Sequence, residues 1–167
     1  MAQKVERGAL PDMTGRVLTV QGPISPLDLG VTLPHEHLFM DLRKNHLPHM
    51  VHGEKGLAEP TFTTEDYPAT DLELWEAKVE LGNLHIAREV GPIADNYVLS
   101  DEKLIAEEAL EFKKAGGGAI VEVTSIGLKR APTALRTVSQ KTGLNIVMGT
   151  GHYQRVFHPE GMAERSV

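Results

Sequence analysis

An alternation of short apolar runs with amphipathic stretches constrains the fold of this chain more than any other feature. Asp71 to Val90 places Leu72, Trp75, Val79 and Ile86 on one helical face and ends at Gly91-Pro92. A second helix is expected after an N-cap at Ser100, with Lys103 where a capping box would carry an acid; Leu104, Ile105, Ala109 and Phe112 form its apolar face, and it stops at Gly116-Gly117-Gly118. Ala119 to Thr124 is short and β-branched, as a buried strand should be. Pro132 to Lys141 gives another amphipathic helix, closed by Thr142-Gly143, and Leu144 to Thr150 reads as a further strand. Before these, Arg16 to Gln21 reads as a strand closed by Gly22-Pro23, and Val31 to Leu38 as the strand that opens the alternation. Parallel strands need crossovers of about a dozen residues or more, which helices supply, so the order implies an α/β fold with a parallel sheet. Three strands leave open whether the sheet closes into a barrel.

Residues 41–70 carry Pro48, Gly53, Gly56, Pro60 and Pro68 without a sustained period, and are expected to form a long functional or mobile loop. With 41% hydrophobic residues in 167, residues 1–167 are expected to form one domain or a large piece of one. A net charge of −6, with acidic residues spread along the chain, offers nothing to a phosphate backbone or an anionic membrane surface. No apolar run approaches the roughly 20 residues that span a bilayer, and Met1 to Met13 lacks the apolar centre of a secretory signal. No nucleic-acid or membrane partner is therefore expected, and the expected location is the cytoplasm. The chain has no cysteine, so a bound metal must be held by imidazole and carboxylate.

Thr32-Leu-Pro-His-Glu-His37 supplies the candidate ligands. At positions i and i+2 of a strand, His35 and His37 project from one face while Glu36 projects from the other. Two neutral nitrogens side by side suit zinc, manganese, iron or cobalt. The pair stands at the carboxyl end of its strand, where α/β folds bind ligands. Spacing alone also admits two packed or hydrogen-bonded histidines. His46, His49 and His52 read as solvated loop residues, and His85 as a boundary residue of a helix. His152 and Tyr153 follow the last strand on the same rim, as pocket or plain structural residues. Glu122 is costly to bury unless paired; it can hydrogen-bond within the fold, accept from a metal-ligating imidazole or ligate directly, and a non-ligand role is favoured. The glycine clusters 116–118 and 149–151 are turns rather than phosphate cradles.

Three stretches resemble the phosphotriesterase family of the amidohydrolase superfamily: Gly30-Val-Thr-Leu-Pro-His-Glu-His-Leu38; Ala115-Gly-Gly-Gly-Ala-Ile-Val-Glu-Val-Thr124 with Gly127-Leu-Lys-Arg130; and Thr142-Gly-Leu-Asn-Ile-Val-Met-Gly-Thr-Gly151. The similarity runs from about Gly15 onward and is most specific in the first stretch. It implies the N-terminal part, about three strands, of a (β/α)₈ TIM barrel with one or two divalent ions at its carboxyl rim, zinc first, with manganese, iron or cobalt as alternatives. By the same resemblance His35 and His37 bind the more buried ion, and Tyr153 lines the substrate pocket. The implied activity is metal-dependent hydrolysis of a small-molecule phosphotriester, lactone or related ester by a metal-activated hydroxide. Lys129 and Ala131 flank Arg130 where the family commonly has Gly and Asp, Glu122 replaces a common Asp, and His152 replaces an apolar or aromatic residue. These departures bear on substrate preference rather than on metal binding.

A full barrel takes about 250 residues. The family's bridging carboxylate, later histidines and final aspartate are expected beyond Val167, leaving no catalytic residue in this chain apart from the metal ligands. Lys129 lies in the loop after the second strand and does not fill the bridging position. The rival expectation is a catalytically incomplete fragment: a non-enzymatic interaction partner, a homodimer, or half of a two-chain barrel. An open half-barrel would expose apolar faces that drive such pairing.

Overall fold

The structure, a computed structural model, describes residues 12–43, 69–89, 92–159 and 161–164. Three parallel strands form the central sheet: β3 (Val31–Glu36), β6 (Gly117–Glu122) and β7 (Asn145–Met148), in the order β3-β6-β7. Helix α3 (Glu102–Lys114) leads into β6, and α4 (Pro132–Thr142) links β6 to β7. Ile105, Ala106 and Ala109 from α3, Leu135 and Val138 from α4, and Ile120 and Ile146 from the sheet close one hydrophobic core with Phe39 and Leu144. Fully burying each large side chain is worth about 1.5–3 kcal/mol. The α/β fold and its parallel sheet are those expected, and the strand order is that of the first part of a (β/α)₈ barrel.

The ends of several elements differ from the sequence reading, each for a physical reason. The N-terminal strand is half of a hairpin, β1 (Val17–Thr19) against β2 (Gly22–Ile24). Thr19 Oγ1 donates to the Gly22 carbonyl at 2.7 Å and accepts from Gln21 N at 3.2 Å, which folds the turn on itself. Pro23 lacks a donor but is tolerated in a two-stranded ribbon. The hairpin is fastened to the sheet by Val20 N donating to the Ile146 carbonyl at 2.9 Å, and to α4 by Gln21 Nε2 donating to Ser139 Oγ at 2.7 Å.

The single helix expected over Asp71–Val90 is two, α1 (Ala69–Glu76) and α2 (Leu84–Arg88). Side chains take over the backbone donors and acceptors between them. Asp95 accepts from Val79 N, and Asn83 accepts from Glu80 N while donating to the Lys78 carbonyl; such local bonds compete directly with a helical ladder. Helix α3 is capped by Asp101 rather than Ser100, its carboxylate accepting from Lys103 N and Leu104 N at 3.0 Å each. An anion there also favours the positive end of the helix dipole.

Of the expected glycine turn only Gly116 turns, at φ 97°, while Gly117 and Gly118 belong to β6. A Cβ on Gly117 would meet the Phe112 ring, and one on Gly118 the Leu29 carbonyl oxygen. Strand β3 ends at Glu36 rather than Leu38, and β7 covers only Asn145–Met148 of the expected 144–150. Of the loop 41–70, the first residue belongs to β4 (Met40–Asp41), which pairs with β5 (Val98–Leu99), and the last two already belong to α1. His46, His49 and His52 lie outside the described residues. No described helix is long and apolar enough to cross a membrane.

Candidate metal centre

His35 is exposed in the last turn of pleat of β3, and His37 is half-buried just past the strand's end. Their position depends on a register irregularity. Leu33 is level with Ile120 and Glu36 with Glu122, so three steps along β3 match two along β6. The extra residue falls at Pro34-His35, where proline has no N–H to give the ladder. The two imidazole rings stand edge to face, with centroids 5.7 Å apart and planes at 74°. Two imidazoles sharing an ion at about 2.1 Å from each nitrogen hold their centroids about 5 Å apart. The pair therefore fits half of a tetrahedral donor set. Among the described residues no group of three or more metal-ligating side chains gathers around it.

Glu122 closes β6 and is fully buried. By strand alternation it shares the face of Ile120, which packs in the helix-covered core. Its Oε1 accepts from Leu38 N at 3.3 Å and from the Thr124 hydroxyl, while Oε2 is buried without a partner among the described residues. Burial pushes its pKa up; the hydroxyl of Thr124, the N–H of Leu38 and the nearby His37 pull it back down. Thr124, also fully buried, stands between this carboxyl and His37, its Oγ1 2.9 Å from His37 Nδ1. Sequence reasoning singled out Glu122 and passed over Thr124. No local signal marks Thr124, because its contact with His37 spans 87 residues and depends on the register of β3 against β6.

Around this point the rim loops are tied together by charge. Asp41 receives Arg43 Nε at 3.0 Å and Nη2 at 2.7 Å, and Lys129 Nζ at 2.6 Å from the loop after β6. Lys129 is the one described non-glycine residue in the left-handed region, at φ 61°, and its ammonium is engaged with Asp41. The Arg43 bonds foremost, then Lys129, hold the Asp41 carboxyl well below the usual carboxylate range despite its burial. A depressed folded-state pKa stabilises the fold above the unfolded value near 3.8, and that contribution is lost as pH falls through the folded value. Asp41→Asn is expected to cost about 1–2 kcal/mol at neutral pH, at the low end for charged hydrogen bonds because both cations are largely exposed. Denaturant titrations should show that difference constant from pH 5 to 8 and shrinking only in acid. A difference that widened in acid would contradict the assignment.

Arg130 Nη1 donates to the Gly149 carbonyl at 2.7 Å, tying the loop after β6 to the end of β7. Tyr153, in the loop after β7, packs on Phe157 with centroids 5.6 Å apart and is 47% exposed. Two strand spacings, about 10 Å, separate the β7 rim from that of β3, and the ring contact of Tyr153 is with Phe157, in its own loop. His152 lies edge to face with His158, 5.7 Å between centroids, and His158 Nε2 is 2.8 Å from the Tyr153 carbonyl. His85 is an exposed residue of α2.

A parallel β/α sheet in the order β3-β6-β7, with two imidazoles side by side at the carboxyl end of its first strand, is the architecture of part of a (β/α)₈ barrel. The chain belongs to the phosphotriesterase family, whose sequence profile matches residues 15–167. It is 34% identical over 161 residues to an N-acetyltaurine hydrolase of Tetraodon nigroviridis, covering 95% of this chain and 41% of that protein. The corresponding protein of Danio rerio is 33% identical over the same share. Among solved structures, a resiniferatoxin-binding protein from Rhodobacter sphaeroides superposes with a TM-score of 0.74 at 33% identity, over 92% of this chain and 38% of that one. The chain thus spans about two-fifths of the length of these relatives.

Proposed function

We propose that this chain supplies the first-strand ligands of a metal-dependent hydrolase of the phosphotriesterase type, with His35 and His37 holding a divalent ion, zinc first. The observation that carries the reading is the edge-to-face imidazole pair at the carboxyl end of β3. A bound divalent cation supplies Lewis acidity, lowering the pKa of a water nucleophile and polarising the oxygen that gains charge. His35 and His37 contribute neutral donors from one rigid strand, which fixes where that chemistry occurs. Tyr153, across the rim, gives the pocket an aromatic wall. Phosphotriesters, lactones and related esters are the substrates that the family resemblance supports. The N-acetyltaurine hydrolases at 33–34% identity support an N-acyl amide as well, since an amide carbonyl undergoes the same attack.

Further ligands would come from later strands, in the same chain or in another. Within the described residues β3 and β7 are the outer strands of the sheet, and unpaired strand edges favour addition of more strands. That favours a second reading in which the 167 residues pair with a copy of themselves or with a complementary barrel half. Hydrolysis of a lactone, a paraoxon-like triester and N-acetyltaurine, measured with the mass by size exclusion, tests both. Activity should disappear with a chelator and return with zinc. Turnover indifferent to chelation would sink the metal reading. A monomer of 18.3 kDa that hydrolyses any of the three would sink the requirement for further strands.

A further inference from the structure

The buried chain Glu122, Thr124, His37 has a direction that follows from proton counting when the Glu122 carboxyl is ionised. Glu122 Oε1 accepts from the backbone N–H of Leu38, which has no alternative role as an acceptor, and also faces Thr124 Oγ1. With Oε1 accepting, the one hydroxyl proton of Thr124 is spent on it. Thr124 Oγ1 then meets His37 Nδ1, at 2.9 Å, with lone pairs only. The contact is a hydrogen bond only when Nδ1 carries the proton. The direction holds while Oε1 itself carries no proton; a proton on Oε1 would be donated to Thr124 Oγ1, and the Thr124 hydroxyl would then donate to His37 Nδ1 and leave Nε2–H. A neutral imidazole has one N–H, so Nε2 is left as the free lone pair.

We infer that Thr124, anchored by Glu122, is a positioning residue that locks His37 in its Nδ1–H tautomer and leaves Nε2 as the ligating atom. The inference rests on the proposed metal centre for its consequence, but the tautomer itself is a property of the protein without metal. Both supporting groups are fully buried, so water does not compete for the bonds, and the ring is held in rotation as well as in protonation pattern. Interactions of this kind behind a ligand typically change metal affinity by about 10- to 100-fold. His35 is exposed and has no equivalent anchor in the described contacts, which makes His37 the preorganised member of the pair.

Long-range ¹H–¹⁵N correlation spectra of the metal-free full chain, taken above the imidazole titration, read the tautomer directly. His37 is expected as Nδ1–H in the wild type and in Thr124→Ser. Thr124→Val, which keeps the shape and removes the hydroxyl, should move it toward the Nε2–H form that an unconstrained neutral imidazole favours. Competition with a chromophoric chelator should show zinc binding about 10- to 100-fold weaker in Thr124→Val and within a few-fold of wild type in Thr124→Ser. Observing Nε2–H at His37 in the wild type, or the same tautomer in wild type and Thr124→Val, would overturn the inference. If Thr124→Val does not fold, the wild-type and Thr124→Ser spectra decide it alone. A normal tautomer pattern with zinc binding that ignores His35 and His37 would overturn the metal reading and leave the tautomer lock in place.

Discussion

Replacing both His35 and His37 with Asn is expected to abolish stoichiometric zinc binding by the protein. A structural zinc site is worth about 10–16 kcal/mol over four ligands, or roughly 3 kcal/mol for each. Loss of two ligands therefore costs on the order of 6 kcal/mol, about 10⁴-fold in affinity. Asn keeps a polar side chain of modest size at both positions, and neither ring is part of the hydrophobic core, so the fold should survive. Metal analysis after dialysis, with circular dichroism on the same samples, separates loss of ligands from loss of structure. Folded double variant that still carries one zinc per chain would refute the assignment of this pair. The single variants should differ: His37→Asn removes the ring held by Thr124, whereas His35→Asn removes an exposed ring with more freedom, so the former is expected to weaken zinc binding more.

The alternation of strands and helices was legible because buried parallel strands are nearly all apolar: Ile120 is 2% exposed and Ile146 0%, and both lie in short β-branched runs. The position of the histidine pair was legible for a related reason, since a strand's carboxyl end is set by where its apolar run stops. The break between α1 and α2 was hidden, because the carboxylate that captures Val79 N belongs to Asp95, sixteen residues further on. Thr124 was hidden too. Its contact with His37 spans 87 residues and depends on how β3 is set against β6, and no local pattern encodes a register. The three consecutive glycines show the same limit: their sequence announces a turn, while two of them are required by what crosses the strand in space.

Gly118→Ala should accordingly destabilise the protein by about 3 kcal/mol, the upper part of the range for forcing an extra carbon into a packed site. The added Cβ would overlap the Leu29 carbonyl oxygen and lie 3.1 Å from Gly30 Cα. Both obstacles are backbone, so no side-chain rotation relieves them. Gly116 gives the contrast: it has φ 97° and no atom within 4 Å of a new Cβ, and alanine there should cost only the backbone strain, of order 1–3 kcal/mol. The Gly118 overlap has a second consequence because Leu29-Gly30 leads directly into β3. Moving that segment away from β6 shifts the start of the strand whose other end presents His35 and His37, and the bulge at Pro34-His35 has no spare ladder bond to absorb the change. Denaturant titration should show a lower midpoint with an unchanged slope, and zinc affinity should fall although no ligand has been altered. A midpoint equal to that of the wild type would mean that β3 does not approach β6 as closely as this packing requires, and the placement of the histidine pair would have to be reconsidered with it.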